Sequence, residues 1–141
     1  MAERTLLLIK PDAVGRRLTG KILARVEAEG FAIVRLKLMR LTPQEARRFY
    51  AVHEGKPFLE KLVAYVSSGP LCAVVLEGEG AIGRLRALAG ATDPAQAAAR
   101  SLRREFGLDM TRNAVHASDG PATAAEEIAF FGLTLARHGG Q

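Results

Sequence analysis

The sequence predicts an α+β sandwich, a four-stranded antiparallel sheet covered by helices, and three observations carry that reading. A continuous apolar run at residues 5–9 reads as a buried strand, helical and strand-like periods alternate after it, and no internal repeat or low-complexity linker divides the 141 residues. A chain of this length buries about two thirds of its unfolded surface in one domain. One domain over residues 1–141 is therefore expected, with 132–141 a loosely held tail.

The first strand, 5–9, ends at the turn Lys10-Pro11-Asp12. In 18–29, Ile22, Leu23 and Val26 recur at helical spacing while Lys21, Arg25, Glu27 and Glu29 take the other side, and Gly30 stops the helix. Val34, Leu36 and Leu38 then alternate with Arg35, Lys37 and Met39, the period of two of a strand with one buried face. Thr42-Pro43-Gln44-Glu45 is a capping box opening a helix through Tyr50. Residues 56–66 read as a further helix closed by Ser67-Ser68-Gly69-Pro70, and 71–76 as the strand after it. Helical spacing returns over 80–88, and Asp93-Pro94-Ala95-Gln96 is a second capping-box candidate. The basic stretch 97–108 has no clear period, 114–117 is short and extended, and the last helix covers about 122–131. A ferredoxin-like sheet is the economical arrangement of these elements.

Composition narrows the functions open to such a domain. No apolar stretch approaches the ~20 residues of a membrane span, and 6–9, interrupted at once by Lys10-Pro11-Asp12, is too short for a signal peptide, so no membrane role and a cytoplasmic location are expected. A single cysteine, Cys72, lies in an apolar strand and excludes both an internal disulfide and a cysteine metal site. The formal charge of +5 suits a polyanionic partner. The basic residues are dispersed, with no basic tail and no zinc-finger or RNP pattern, so nucleic acid is not the primary ligand and a small phosphorylated molecule fits better. Neither G-x-x-x-x-G-K-[ST] nor G-x-G-x-x-G is present, so side chains rather than a glycine-rich loop must hold the phosphates.

The residue types for that task are present. His116, in Asn113-Ala-Val-His-Ala-Ser-Asp119, stands between an extended segment and a helix start. Imidazole with its ordinary pKa near ~6.5 is mostly neutral at pH 7 and is then a phosphoryl acceptor. Its other ring nitrogen needs an orienting partner, a role open to Glu127 directly or through Ser118. Lys10, Arg86, Thr92, Arg103 and Arg112 supply anion-binding groups, and phosphoryl transfer requires little beyond a positioned nucleophile and cations around the phosphoryl oxygens.

The segments Arg4-Thr-Leu-Leu-Leu-Ile-Lys-Pro-Asp-Ala-Val14, Phe49-Tyr-Ala-Val-His-Glu-Gly-Lys-Pro-Phe58, Ser68-Gly-Pro70, Val75-Leu-Glu-Gly78, Gly90-Ala-Thr92 and Asn113-Ala-Val-His-Ala-Ser-Asp119 resemble the nucleoside diphosphate kinase family in order and spacing over residues 3–131. The resemblance implies a ping-pong phosphotransferase in which a nucleoside triphosphate phosphorylates His116 and the phosphohistidine then serves a nucleoside diphosphate. It implies that Lys10, Tyr50 and Asn113 surround the transferred group and the sugar hydroxyls, and that Arg86, Thr92 and Arg103 hold the other phosphates. Phe58 would stack on the base, with Leu62 and Met110 shaping the slot, so that purines and pyrimidines are both accepted. Mg²⁺ would be delivered with the nucleotide and reach Asp119 through water. The family also implies a closed homo-oligomer, a tetramer or hexamer. His53 and His138 are read as surface residues.

Two departures from the family pattern stand out. The family's Pro-Gly-Thr-Ile-Arg-Gly-Asp loop is here Ala99-Arg-Ser-Leu-Arg-Arg-Glu105, without the proline and both glycines, which opens Arg100 or Arg104 as alternatives to Arg103. The stretch 97–106 has no evident packing role within one domain and is expected between subunits. Ala117 and Gly120-Pro121 also replace the family's residues after the nucleophile. These departures admit an alternative, a catalytically weakened nucleotide-binding module with a regulatory or nucleic-acid-interacting role, against which the joint presence of Lys10, Arg86, Asn113 and His116 argues.

Overall fold

The computed structural model of the chain describes residues 2–135. Its sheet holds β1 (Ala2–Ile9), β2 (Ala32–Met39), β3 (Leu71–Glu79) and β4 (Val115–Ala117) in the order β2-β3-β1-β4, with every neighbouring pair antiparallel. β1 and β3 are central and pair from Ala2 opposite Glu79 to Ile9 opposite Cys72. Their side chains are covered on both faces, which explains why both read as unbroken apolar runs rather than alternations.

The helices α1 (Pro11–Gly15), α2 (Thr19–Ala28), α3 (Pro43–Phe49), α4 (Leu59–Val66), α5 (Ala81–Ala89), α6 (Leu102–Phe106) and α7 (Pro121–Phe130) divide between the two faces. Leu7 and Ile9 of β1 pack with Ile22, Val26, Leu85, Leu102 and Phe106 on one side. Leu6 and Leu8 pack with Ala46, Tyr50, Val63, Ile128 and Phe131 on the other. Apolar periodicity chose those faces, and local chemistry set the helix ends. Thr42 Oγ1 accepts the Glu45 N–H at 3.1 Å while the Glu45 carboxylate accepts the Thr42 N–H at 2.8 Å, the capping box expected there.

Four expectations need correction. Leu36 and Leu38 are 49% and 63% exposed, because β2 is an edge strand with a register shift between Ile33 and Arg35; Val34 and Met39 reach the core beneath the sheet and these two leucines do not. Asp93 forms no capping box: it accepts the Ala95 N–H at 3.0 Å and opens only the single 3-10 turn Pro94–Gln96. The stretch 97–106 does pack within its own domain, since Ala97, Ser101, Leu102 and Phe106 are buried and α6 is a short capped helix. Leu133, assigned to the tail, is buried against the α7 side, and its N–H reaches the Ile128 carbonyl at 3.0 Å. Residues 136–141 of that tail, which include His138, lie outside the described residues.

Candidate active site

Antiparallel pairing of β4 with the end of β1 brings two distant motifs together. Ile9 faces Val115 and Leu8 faces His116, so Lys10, one residue past β1, meets the segment just before β4. Lys10 Nζ donates to Asn113 Oδ1 at 2.9 Å and to the Thr111 carbonyl at 3.1 Å, while its N–H donates to the Ala114 carbonyl at 2.8 Å. Asn113 Nδ2 in turn donates to the Thr92 and Met110 carbonyls at 3.0 and 3.1 Å. Lys10 is buried. Desolvation, reinforced by the Arg103 charge and offset by Asp12 and Asp109, brings its pKa down to about 8.

His116 is tied down through one ring nitrogen. Its Nε2 lies 3.0 and 2.9 Å from the two Glu127 oxygens, and the Ser118 hydroxyl donates to Glu127 Oε1. Both candidate partners are thus used, Glu127 directly and Ser118 by holding Glu127. A carboxylate can only accept, so Nε2 carries a proton, and in the neutral ring the lone pair is then on Nδ1. The Phe49 ring meets the imidazole edge-on at 5.4 Å and fixes its plane.

Two cavities open beside this ring. One, of about 310 Å³, is lined by Arg86, Thr92, Arg103, His53, Asp119 and His116. Arg103 enters it from α6 with Nη1 on the Gly90 carbonyl at 2.8 Å and Nη2 on the Val115 carbonyl at 2.9 Å, leaving Nε buried without a hydrogen-bond partner. Burial and the neighbouring Arg86 disfavour the charge on Arg103, and Asp119 lines the same cavity as the two arginines. Arg100 and Arg104 do not enter it: Arg104 holds the Ala95 carbonyl at 2.9 Å, and Arg100 lines a separate cavity between α2 and α5. The other cavity, of about 510 Å³, is lined by Tyr50, His53, Asp119, Thr123, Glu126 and Glu127. Tyr50 is buried there, and desolvation together with the Glu127 charge pushes its hydroxyl up to about 12, so it is a neutral donor at any physiological pH.

Phe58 is exposed at the start of α4, with Leu62 following one turn later, its N–H on the Phe58 carbonyl at 3.2 Å. Met110, 62% exposed, stands on the loop before β4. Two of the sequence expectations fail here. Arg112 is not at the site: its Nε and Nη2 both donate to Asp109 Oδ2, at 2.9 and 2.8 Å, on the surface. His53 is not a free surface residue: it lines both cavities, its ring lies 6.0 Å from Tyr50 and 5.1 Å from Phe58, and its Nδ1 is buried without a partner. Its place in Phe49-Tyr-Ala-Val-His53, one helical turn past Tyr50, was the available signal. Asp12 and Tyr65 were missed as well. The Asp12 carboxylate accepts from the Tyr65 hydroxyl and from the Ala114 N–H, the latter at 3.1 Å.

Comparison with known proteins agrees with this geometry. A family model described as nucleoside diphosphate kinase matches residues 3–133. The nucleoside diphosphate kinase of Syntrophotalea carbinolica is 53% identical over 135 residues, covering 94% of this chain and 98% of that protein. That of Persephonella marina is 50% identical over 129 residues, covering 92% of each. Among solved structures, the Aquifex aeolicus nucleoside diphosphate kinase superposes with a TM-score of 0.90 at 49% identity, covering 93% of this chain and 95% of that one. The Halobacterium salinarum enzyme, solved in complex with CDP, superposes with a TM-score of 0.90 at 41% identity, covering 93% and 88%. A buried lysine, an oriented histidine and an arginine-lined cavity at one end of this sheet, together with a match along almost the whole chain, place the protein in the nucleoside diphosphate kinase family.

Proposed function

We propose that the chain is a nucleoside diphosphate kinase that works by ping-pong transfer through His116, with broad base specificity. The observation that carries this is the His116 ring itself, its Nε2 engaged by Glu127 and the ring lining a cavity together with Arg86 and Arg103. In the first half-reaction the Nδ1 lone pair attacks the γ-phosphorus of a nucleoside triphosphate, the bond to the β-bridging oxygen breaks, and the diphosphate leaves with that electron pair. The Nε2 proton stays on the ring, where Glu127 offsets the positive charge of the phosphohistidine. In the second half, a β-phosphate oxygen of another nucleoside diphosphate takes the phosphoryl group and restores neutral imidazole.

Lys10, Tyr50 and Asn113 surround the group in transfer and the sugar hydroxyls, and Arg86, Thr92 and Arg103 hold the remaining phosphates. Phe58 stacks on the base, with Leu62 and Met110 at the rim, and a stacking platform without base-edge contacts accepts purines and pyrimidines. Mg²⁺ comes as part of the nucleotide, neutralising phosphate oxygens. Among the described residues no group of three or more His, Cys, Asp and Glu could hold a metal of its own, and Asp119, lining the phosphate-side cavity, would meet a hydrated ion through water.

No helix among the described residues is long and apolar enough to cross a membrane, and a cytoplasmic enzyme serving free nucleotides fits that. A homo-oligomer, tetramer or hexamer, is supported by the unpaired β2 edge with Leu36 and Leu38 exposed upon it. The test of the activity is direct. γ-Labelled ATP should leave acid-labile, base-stable label on the protein, which a GDP chase removes as GTP, and folded His116→Ala should take up none. Normal exchange by that variant would overturn the assignment.

A further inference from the structure

Ala114, two residues before the nucleophile, has φ +74°, and the Val115 N–H reaches back to the Asn113 carbonyl at 2.9 Å. An i to i+2 hydrogen bond across a residue of positive φ is a γ-turn of the rare, strained kind, and alanine has no glycine-like freedom to occupy it. Something must hold it. Both backbone groups of Ala114 are gripped from the Lys10-Pro11-Asp12 loop: the Lys10 N–H takes its carbonyl at 2.8 Å, and Asp12 Oδ2 takes its N–H at 3.1 Å. The Asp12 side chain is only 4% exposed and is held from a second direction. The Tyr65 hydroxyl donates to Asp12 Oδ1 and accepts the Asp12 N–H at 2.8 Å, while Arg16 Nη2 lies 3.2 Å from Oδ2.

We propose that Asp12, braced by Tyr65, is a positioning residue for phosphoryl transfer, clamping the strained turn at Ala114 so that Asn113 and Lys10 on one side and His116 on the other keep their mutual geometry. Asp12 lines neither cavity beside His116. Without the clamp, Ala114 relaxes to negative φ, the peptide between Asn113 and Ala114 reorients, and the Asn113 side chain leaves Lys10 while β4 starts from a different direction. The nucleotide would still bind through Arg86, Arg103 and Phe58. Chemistry would suffer, because a misplacement of about 1 Å costs on the order of a hundredfold in rate.

This inference rests on His116 being the nucleophile, and the experiment separates the two. Rapid-quench labelling of His116 from γ-labelled ATP at saturating nucleotide is measured beside equilibrium binding of a non-hydrolysable ATP analogue, for the wild type, Asp12→Ala, Asp12→Asn, Tyr65→Phe and the double variant Asp12→Ala/Ala114→Gly. Asp12→Ala should lower the labelling rate by about a hundredfold while analogue affinity changes less than about threefold. Asp12→Asn, which keeps one acceptor oxygen, should recover most of the rate, and Tyr65→Phe should fall between. The decisive readout is the double variant. Glycine occupies positive φ without strain, so the turn should persist unclamped and at least about tenfold of the lost rate should return. Wild-type labelling by Asp12→Ala, a loss wholly in binding, or no gain from glycine would overturn the proposal. If Asp12→Ala does not fold, Tyr65→Phe decides: full-rate labelling by it overturns the proposal, a deficit that adding Ala114→Gly relieves sustains it, and a deficit that glycine does not relieve overturns it. Absence of label on the wild type would instead remove the reading beneath it.

Discussion

In the proposed mechanism Lys10 acts as a cation, in surroundings that oppose the charge. Its pKa near 8 gives the phosphorylation step an alkaline limb: as pH rises through about 8 the ammonium is lost and the rate of His116 labelling should fall. The effect on stability has the opposite sign. The folded pKa is below the ordinary value of 10.5, so between about pH 8 and 10.5 the unfolded chain binds more protons and the Lys10 contribution to stability rises with pH. Rapid-quench rates and denaturant melts over pH 7–10 should therefore diverge, and Lys10→Met should abolish both trends. A limb unchanged in that variant would assign it to another group. Glu127→Gln can donate to Nε2 as well as accept from it, so it relaxes control of the tautomer and should slow labelling by about tenfold or more with the fold intact. Phe58→Ala should weaken binding of every nucleotide by about 1–3 kcal/mol. A loss confined to one base, seen by calorimetry with ATP, GTP, CTP and UTP, would contradict stacking as the source of tolerance.

Between elements, the contact of α5 with α6 decides where Arg103 lies. Gly90 ends α5 with φ +87°, and a Cβ there would come within 2.5 Å of Ser101 Cβ. Ser101 also caps α6, accepting the Arg104 N–H at 3.2 Å. Ser101→Ala should cost about 1 kcal/mol. Gly90→Ala should cost more, and it should weaken nucleotide binding too, because it displaces the carbonyl on which Arg103 rests; thermal melts and analogue titrations check both. This junction was the least legible part of the sequence. Residues 97–108 carry no long apolar period, and a five-residue helix is specified by its cap and two buried side chains, Leu102 and Phe106, rather than by a stripe. The long elements were legible, since β1, β3, α2 and α4 each show a run or period that burial enforces. At the candidate site, Lys10, His116 and Glu127 were legible by type and position, and Asn113 through the family resemblance. Asp12 and Tyr65 were not, because their meeting across 53 residues and their grip on Ala114 exist only after the sheet has formed. Leu36 and Leu38 misled for a related reason: alternation marks a strand face that can be buried, not what covers it.

For the whole molecule the open question is what meets β2. An edge strand with two large exposed aliphatic residues and unpaired backbone groups is a place where a lone subunit is exposed to unwanted pairing. Arg35 and Lys37 on the same strand guard it by charge. Light scattering at micromolar concentration should give a tetramer or hexamer that falls to dimers on dilution or in mild denaturant. Leu38→Glu should shift the distribution to smaller species while leaving the monomer fold intact. A wild type monomeric across that range would refute the assembly.

The strand that carries His116, the proposed nucleophile, is also the shortest of the four, three residues paired among the described residues with β1 alone. Among its supports is Arg103, whose Nη2 holds the Val115 carbonyl while its Nε waits without a partner. A ligand phosphate that satisfies this guanidinium also stiffens the strand on which His116 rides, because whatever binds the closed arrangement lowers the population of open ones. Amide hydrogen exchange would register this as slower exchange at Val115 to Ala117 when a nucleoside diphosphate is bound, with little change in β3. The reactive strand would thus be the least protected in the sheet while the site is empty, and would gain order from the substrate it is about to act upon.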